Sequence, residues 1–347
     1  MSAFFERIID PNAGCYLIAE VGVNHNGNME TAKQLIDVAC SAGTDAVKFQ
    51  TFKPEALVTE KAPLAAYQRG NGNAEVSQHD MLAAIQLKYK SHATLQSYCN
   101  KKFIEFLSTP FEEESADFLD DLGLPAFKIP SGEITNTPFL EHVARKGKPI
   151  ILSTGMSSLS EVETAIVSLE NSGLSEIIIL HCVSQYPAPY AEVNLRAMET
   201  LKLAFGYPVG FSDHTEGAEI AIAAVSLGAC LIEKHFTLCK SMEGPDHKAS
   251  LEPDELLNLV RAIKNVEIAM GHGRKVIMPC EINTAEVARK SIVAKKMITA
   301  GDIITSDMLA IKRPGTGTNP SMLHLVLGRR AKFDIAKDEQ ITMDALN

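Results

Sequence analysis

Residues 208–236, PVGFSDHTEGAEIAIAAVSLGACLIEKHF, contain the pattern on which the fold prediction rests. A short apolar run, PVGFSDH, ends in polar residues, a longer segment of helical character follows, and a second short run, CLIEKHF, again ends in polar residues. Short strands that alternate with helices form parallel sheets, because the helix returns the chain to the start of the next strand. These residues therefore predict one strand–helix–strand unit of a parallel sheet.

The same alternation extends in both directions from this unit. Eight short runs occur between Cys15 and about Gly271, and segments of helical period separate them. The runs begin at Tyr16 (YLIAEVGV), Asp45 (DAVKFQ), Phe103 (FIEFLSTP), Ala126 (AFKIPSGE), Pro149 (PIILSTG), Glu176 (EIIILHCV), Pro208 (PVGFSDH) and Cys230 (CLIEKHF). Eight strands followed by helices predict an α/β fold of the (β/α)₈ type, a TIM barrel.

The sequence predicts two domains. The barrel is expected over residues 1–272 and a linker over residues 273–290, starting near the Gly271-His272-Gly273 turn. Residues 291–347 contain short strand-like pieces, SIVAKKMI, DIITSDML, LAIKRPG and AKFDIAKDEQI, which are separated by turn residues. They predict a small β-rich module and not a ninth barrel unit.

Composition excludes several classes of protein. The chain of 347 residues has a formal net charge of −10, which argues against a nucleic-acid partner. Its seven cysteines are scattered without a CxxC pair, which is typical of reduced thiols. The N-terminus lacks the apolar core of a signal peptide, and no run of about eighteen apolar residues could span a bilayer. We therefore expect a cytoplasmic protein without membrane or nucleic-acid partners.

Polar side chains collect at the carboxyl ends of the predicted strands, where TIM barrels build their active sites. The residues at these ends are Glu20, Asn24, His25, Lys48, Gln50, Ser108, Thr109, Lys128, Ser131, Glu133, Ser153, Thr154, His181, Tyr186, Ser212, Asp213, His214, Glu233, Lys234 and His235. A single Ser or Thr in such a position is often only a helix cap. Eight adjacent strand ends nevertheless predict that these groups converge on one pocket.

Two subsets of these residues suggest chemistry. Lys48 and Lys128 lie within apolar strands, where an ammonium group is costly unless it meets an anion, and nearby hydroxyls would complete a phosphate site. His214 and His235 end consecutive strands, and two imidazoles near carboxylates suit a divalent metal with open coordination positions. Hydrogen-bonded histidines without a metal remain an alternative on spacing alone.

The strand-end motifs closely resemble those of the bacterial sialic acid synthase family. The resemblance covers nearly the whole chain, and the C-terminal module, with Lys312-Arg313-Pro314-Gly315 and Leu327-Gly328, is similar to that family's antifreeze-like (SAF) domain. The motifs are AEVGVNHNG (19–27), VKFQT (47–51), STPF (108–111), KIPSGE (128–133), LSTGM (152–156), HCVSQYP (181–187), FSDHT (211–215), EKHFT (233–237) and GPDHKASLEP (244–253).

This resemblance implies an enzyme, a transferase that condenses phosphoenolpyruvate with N-acetylmannosamine and water to give N-acetylneuraminate and phosphate. Cleavage of the C–O bond and dependence on a divalent metal are also implied, with Mn²⁺ favoured and Mg²⁺ or Co²⁺ as alternatives. The alternative product is N,N'-diacetyllegionaminate, made from a 6-deoxy-diacetamido sugar. Two further readings are a Schiff-base aldolase using Lys48, Lys128 or Lys234, and a non-enzymatic carbohydrate-binding protein.

The resemblance also implies roles for individual residues. His214 and His235 match metal ligands and, with Glu20 and Glu133, form the predicted catalytic set. The predicted substrate-binding set is Lys48, Gln50, Asn73, Thr109, Lys128, Ser131, Ser153, Ser184, Tyr186, Ser212, Asp246 and Arg313. Arg313 is expected to reach the barrel of a partner subunit, which implies a domain-swapped homodimer. Ser184 departs from the family variant that has Asn at this position, and its hydroxyl can still form a hydrogen bond.

Overall fold

The computed structural model describes residues 1–65 and 77–347, which divide into two compact units, Met1–Gly271 and His272–Asn347. The division falls one residue before the predicted end of the barrel at residue 272. Residues 273–290, expected to be a linker, belong to the second unit and include a helix, α12 (Ile282–Ala288).

The first unit is a barrel of eight strands; seven of them lie within their predicted runs, and β2 extends one residue beyond its run, to Thr51. The strands are β1 (Tyr16–Gly22), β2 (Ala46–Thr51), β3 (Glu105–Pro110), β4 (Phe127–Ile129), β5 (Ile150–Ser153), β6 (Ile177–Cys182), β7 (Val209–Asp213) and β8 (Leu231–His235). Their order is β3-β2-β1-β8-β7-β6-β5-β4, and every hydrogen-bonded pair in it is parallel. Pairing of β1 with β8 brings the two ends of the barrel sequence together, and the predicted TIM-barrel fold is confirmed.

The helices of this unit surround the strands, and two of them have the caps that the sequence predicts. Gly43 ends α2 in the left-handed conformation, with φ of 80°, and Ser158 and Glu161 form the predicted capping box of α8. The helices are α1 (Ala3–Ile9), α2 (Met29–Ala42), α3 (Pro54–Leu57), α4 (Gln78–Ile85), α5 (Tyr89–Lys102), α6 (Glu113–Asp121), α7 (Thr137–Ala144), α8 (Leu159–Asn171), α9 (Ala197–Phe205), α10 (Glu219–Ser226) and α11 (Pro253–Met270).

Two apolar layers hold the barrel together. The larger layer lies between the strands and the helices, where outward strand residues such as Phe211 and Ile232 are buried. A smaller cluster fills the barrel interior, where Leu180 and Leu231 pack with Phe5 and Ile8 of α1. The short helix α1 therefore covers the amino-terminal end of the barrel, and the polar residues at the carboxyl ends of the strands are left to form a pocket.

The second unit has its own small core. It contains α12, β9 (Ser291–Ala294), β10 (Leu309–Lys312) and α13 (Leu323–Val326), and β9 pairs with β10 in an antiparallel sheet. Two of the four predicted strand-like pieces form these strands, and residues from the other two make isolated bridges, such as Ile303 with Arg330. Throughout residues 1–65 and 77–347, the helices fall short of the length and apolarity that crossing a bilayer requires.

Candidate active site

A pocket of about 440 Å³ opens at the carboxyl ends of the barrel strands. Fourteen of the sixteen residues predicted for the site line it: Glu20, Lys48, Gln50, Thr109, Lys128, Ser131, Glu133, Ser153, Ser184, Tyr186, Ser212, His214, His235 and Asp246. Asn73 lies outside the described residues, and Arg313 is an exposed residue of the second unit. The sequence-derived set thus converges on one cavity, while the roles of its members stay predictions.

Strand alternation brings these side chains to the pocket. Successive residues of a strand point to opposite faces, so residues two apart share a face. On β8, Leu231 packs inside the barrel and Ile232 packs against the helices, which places Glu233 and His235 on the inner face. The same parity places Ser212 inward on β7, because its neighbour Phe211 is part of the outer layer.

Four ionisable groups form a buried network at the base of the pocket. The Nζ atom of Lys48 lies 2.7 Å from Oε2 of Glu20 and 3.6 Å from Oε2 of Glu233. Lys128 donates a hydrogen bond to Oε1 of Glu233 at 2.9 Å. All four side chains are at most 5% exposed, so each charge depends on the others for stabilisation.

The network shifts the pKa values of its members in different directions. Burial raises the pKa of Glu20 to about 7, and Lys48 opposes that rise. Burial also acts to raise the pKa of Glu233, but the ammonium groups of Lys128 and Lys48 outweigh it and hold this pKa well below its ordinary value. For Lys128, burial is the largest cause and lowers the pKa. Glu233 is therefore the ionised partner of the two lysines.

Hydroxyl groups surround the lysines. Lys48 donates a hydrogen bond to Oγ1 of Thr109 at 2.8 Å, and Ser212 donates one to Oε1 of Glu233 at 3.0 Å. Ser131 accepts a hydrogen bond from the backbone N–H of Gly155 at 2.9 Å. Ammonium and hydroxyl groups on one wall are the donors that phosphate and carboxylate oxygens require.

Four residues that line the pocket have a buried polar atom without a hydrogen-bond partner within the described residues: Oε2 of Glu20, which is ion-paired with Lys48, Oγ of Ser153, Oε2 of Glu233 and Nδ1 of His235. Buried polar atoms are normally paired, and exceptions call for a physical reason. Their concentration in one cavity indicates a site built to hold a polar ligand.

The two predicted metal ligands lie together on one side of the pocket. The ring centroids of His214 and His235 are 5.5 Å apart. The ring centroid of Tyr186 lies 4.1 Å from that of His214 and 5.5 Å from that of His235. Nδ1 of His235 is 3.8 Å from Oδ2 of Asp246. Burial lowers the pKa of His214 to about 4 and also lowers that of His235. Both rings are therefore neutral near pH 7, the form in which imidazole binds metals.

The hydrogen bonds of these rings fit a metal centre with open positions. His214 donates from Nδ1 to the backbone carbonyl of Val183 at 2.7 Å, which leaves a lone pair on Nε2. Nδ1 of His235 lacks a hydrogen bond, as noted above. In the part of the chain that the structure describes, no cluster of three or more His, Cys, Asp or Glu side chains could hold a metal ion. Two imidazoles would thus supply the protein ligands, and oxygen atoms of other molecules would supply the rest.

The remaining predicted residues lie nearer the solvent. Gln50 donates to Oε1 of Glu20 at 3.5 Å, and Oε2 of Glu133 accepts a hydrogen bond from Asn136 at 2.7 Å. Ser184 is half-buried beside Gly155 and lines the cavity despite its departure from the family variant. These groups form the rim through which a larger polar substrate would enter.

Sequence reasoning missed two parts of the pocket. Glu233 stands at a strand end but is absent from the predicted site. It lies two residues before His235 on β8 and therefore shares the inner face of the barrel, which could have identified it. The second part is an apolar wall, defined here as Val23, Phe52, Leu57, Val58, Met81, Leu82, Ile85 and Phe111. Its helical residues follow the pattern of ordinary core residues, so no local signal distinguishes them.

Comparison with known proteins gives the same assignment for both units. The NeuB family model matches residues 35–275, and the SAF domain model matches residues 289–347. The chain is 49% identical to the N,N'-diacetyllegionaminic acid synthase of Campylobacter jejuni, over 94% of this chain and 98% of that protein. It is 45% identical to the synthase of the same name from Legionella pneumophila, over 93% and 92% of the two chains.

A solved structure agrees with these matches. The N-acetylneuraminic acid (sialic acid) synthetase of Leptospira borgpetersenii superposes with a TM-score of 0.70 at 35% identity, covering 79% of this chain and 91% of that one. The resemblance to sialic acid synthases, the SAF domain and the prediction of an enzyme of the synthase type are all confirmed. The chain belongs to the NeuB family.

Proposed function

We propose that this enzyme condenses phosphoenolpyruvate with an acetamido-sugar aldehyde and water, forming a nine-carbon keto sugar acid and phosphate. One observation carries the proposal: a single cavity joins a wall of buried ammonium and hydroxyl groups to a pair of neutral imidazoles. The first wall suits a small anion with phosphate and carboxylate groups. The second suits the polarisation of a carbonyl oxygen.

The wall of ammonium and hydroxyl groups, called here the anion wall, consists of Lys48, Lys128, Thr109, Ser153 and Ser212. It is the reason why phosphoenolpyruvate is the proposed donor. Lys48 donates a hydrogen bond to Thr109, Lys128 and Ser212 both donate to Glu233, and the hydroxyl of Ser153 has no partner among the described residues. Phosphate and carboxylate oxygens would accept hydrogen bonds from these groups, and the negative charge of the ligand would stabilise both ammonium groups. Donors fixed before the ligand arrives also need no reorganisation during the reaction.

We propose that His214 and His235 hold a divalent metal, with Mn²⁺ favoured and Mg²⁺ or Co²⁺ as alternatives. When bound there, the metal supplies Lewis-acid polarisation of the aldehyde oxygen. The neutral rings and the unpartnered Nδ1 of His235 support this assignment.

The reaction itself is proposed to break the C–O bond of phosphoenolpyruvate. The π electrons of the C2–C3 bond of phosphoenolpyruvate form a bond from C3 to the aldehyde carbon, and the aldehyde oxygen becomes a hydroxyl. Water adds to C2, and the C2–O bond breaks with its electron pair on the departing phosphate, which leaves a keto group at C2. The two protons of the water end on the new hydroxyl and on the phosphate. We propose that Glu20, which contacts Lys48 and Gln50, takes a proton from the water, and that Glu133 at the rim orients the sugar. Phosphoenolpyruvate labelled with ¹⁸O at the bridging position should deliver the label to phosphate; label in the sugar acid would contradict this cleavage.

For the acceptor, we propose the 6-deoxy-diacetamido sugar that leads to N,N'-diacetyllegionaminate. Relatives named for that product are 49% and 45% identical to this chain. The apolar wall supports the same choice, because Leu57, Val58 and Met81 offer half-buried carbon surface to the cavity. A 6-deoxy sugar carries a methyl group where N-acetylmannosamine carries a hydroxymethyl group, and an apolar wall favours the methyl group.

N-acetylmannosamine is the second candidate and the one that sequence analysis put first. The structural match to an N-acetylneuraminic acid synthetase supports this second candidate. Its 6-hydroxyl group would be desolvated without a hydrogen-bond partner if it packed against the apolar wall. The two candidates therefore differ in the cost of placing C6 against this wall.

A product assay with phosphoenolpyruvate, Mn²⁺ and each sugar separates the candidates. We expect kcat/KM for the diacetamido sugar to exceed that for N-acetylmannosamine about tenfold or more, within the range by which an apolar pocket discriminates against an added hydroxyl group. Met81→Gln should reduce this ratio, whereas Met270→Gln, at the exposed end of α11, should leave it unchanged. Equal or reversed preference in the wild-type enzyme would refute the proposed acceptor.

The same preparation tests the rival Schiff-base mechanism. Lys48 and Lys128 are engaged with carboxylates in the pocket, whereas Lys234 lies on the opposite face of β8. We expect no covalent adduct after borohydride treatment in the presence of substrate. A mass increase mapped to Lys48 or Lys128 would favour the aldolase reading.

A further inference from the structure

A second buried ion pair lies directly behind the two imidazoles, on the outer face of the barrel. Lys234 donates a hydrogen bond from Nζ to Oδ2 of Asp213 at 2.8 Å, and both residues are 1% exposed. They are partners in the parallel register of β7 and β8. Because side chains alternate along a strand, this pair faces the helices while the intervening residues face the pocket.

The pair is connected to the backbone on both sides of His214. Besides Asp213, Lys234 donates to the backbone carbonyl of Thr215 at 2.6 Å. Oδ1 of Asp213 accepts hydrogen bonds from the backbone N–H of Thr215 at 2.9 Å and from its hydroxyl at 2.8 Å. The residues immediately before and after His214 are therefore both fixed to a single ammonium group.

The same lysine is fixed to the strand that carries the other imidazole. Lys234 stands between Glu233 and His235, so a displacement of its backbone would move both pocket residues. Glu219 of α10 and Glu255 of α11 add negative charge near the ammonium group from the helices packed over it. The arrangement links the end of β7, the end of β8 and the two helices outside them.

We infer that the Lys234–Asp213 pair is a positioning device that sets the relative placement of His214 and His235. The inference rests on the metal role proposed above. A buried ion pair is a poor source of stability, since replacing both partners with apolar residues is often neutral or stabilising. What an apolar pair could not supply is the set of directed hydrogen bonds that hold the backbone on either side of His214.

A double variant tests the effect of the pair on metal binding without leaving one buried charge unpaired. Lys234→Met combined with Asp213→Leu removes both charges together and leaves no unpaired buried ion. We expect this double variant to fold and to unfold at a lower denaturant concentration than the wild type, because the backbone N–H, the hydroxyl and the carbonyl of Thr215 lose their partners. Its dissociation constant for Mn²⁺ should rise about ten- to a hundredfold, the usual effect of removing groups that orient metal ligands.

Metal binding is measured without turnover, by electron paramagnetic resonance of free Mn²⁺ during titration. The steady-state readout is the KM for phosphoenolpyruvate, which should change less than the Mn²⁺ constant because the anion wall lies elsewhere in the pocket. Arg7→Met is the matched control, since Arg7 pairs with Asp45 at 2.9 Å near the opposite end of the strands. We expect its Mn²⁺ constant to equal that of the wild type.

Asp213→Asn provides a second test if the double variant does not fold. Its amide oxygen keeps an acceptor for Thr215 while the charge that holds Lys234 is lost, so we expect a smaller but measurable rise in the Mn²⁺ constant. Wild-type affinity for Mn²⁺ in a folded double variant, or in Asp213→Asn alone, would overturn the inference and leave the proposed function intact. A wild-type protein that does not bind Mn²⁺ would overturn the metal assignment and the inference together.

Discussion

Replacing Glu233 with Gln is the most informative single change to the pocket. Glu233 meets Lys128 at 2.9 Å, Lys48 at 3.6 Å and Ser212 at 3.0 Å, and it keeps the pocket near electrical neutrality. The glutamine has the same shape but no charge, so two buried ammonium groups would share Glu20 as their remaining anion. Removing one partner of a buried ion pair costs about 3–5 kcal/mol of unfolding free energy.

An anionic ligand should reverse part of this loss. Wild-type protein at a phosphoenolpyruvate concentration of one hundred times Kd gains about 2.7 kcal/mol through mass action. In Glu233→Gln, the ligand no longer competes with a protein carboxylate for the two lysines. We therefore expect its Kd to fall about tenfold, which adds about 1.4 kcal/mol to the stabilisation at the same ligand concentration.

The assay is urea unfolding of both proteins with and without phosphoenolpyruvate. Asp45→Asn serves as the control, because Asp45 pairs with Arg7 and accepts a hydrogen bond from the backbone N–H of Leu17 far from the pocket. It should lose stability without any change in the ligand-induced gain. A ligand-induced gain in Glu233→Gln equal to or smaller than that of the wild type would refute the view that this carboxylate stands where the anion binds.

Three further predictions address other parts of the site. Gly155→Ala should raise the KM for phosphoenolpyruvate about tenfold, because an added Cβ would lie 2.2 Å from Oγ of Ser184. Gly132→Ala is the control, since an added Cβ there meets nothing within 4 Å. Equal KM values for the two variants would contradict the prediction. Chelation should abolish turnover until Mn²⁺ is restored, and His235→Ala should stay inactive with Mn²⁺; full activity of that variant would remove the metal assignment. Arg313→Ala should raise the KM for the sugar but not for phosphoenolpyruvate, and an unchanged sugar KM would argue against its predicted role.

Most of the fold could be predicted because strand ends and helix caps are local signals. The strands β1 and β6 fill almost all of the runs from Tyr16 and Glu176, and Gly43 ends α2 in the left-handed conformation that the sequence predicts. The exact length of a strand depends on pairing with its neighbours. For that reason the run from Ala126 gave a strand of only three residues, and two pieces of the second unit formed bridges where strands were expected.

The site was predictable as a set of positions but not as a network of charges. The sequence presents Glu233, Lys234 and His235 as one polar motif, and only the geometry of the strand sends the first and third residues inward and the second outward. That separation decides which lysine can meet a substrate. The apolar wall was beyond sequence reasoning for a different reason, because an exposed carbon surface and a core contact use the same residues, as Met81 illustrates.

The two ends of the barrel interior differ in a way that links stability to function. At the amino-terminal end, Phe5 and Ile8 of α1 fill the interior with apolar contacts that stabilise the fold. At the carboxyl end, the interior holds four buried charges and polar atoms without partners, and each of these opposes folding when no ligand is bound. The polar end can keep this arrangement because the apolar layers carry the stability of the barrel. A bound anion should therefore stabilise the protein by pairing with the buried charged and polar groups at the carboxyl end, which contribute least to stability when no ligand is bound.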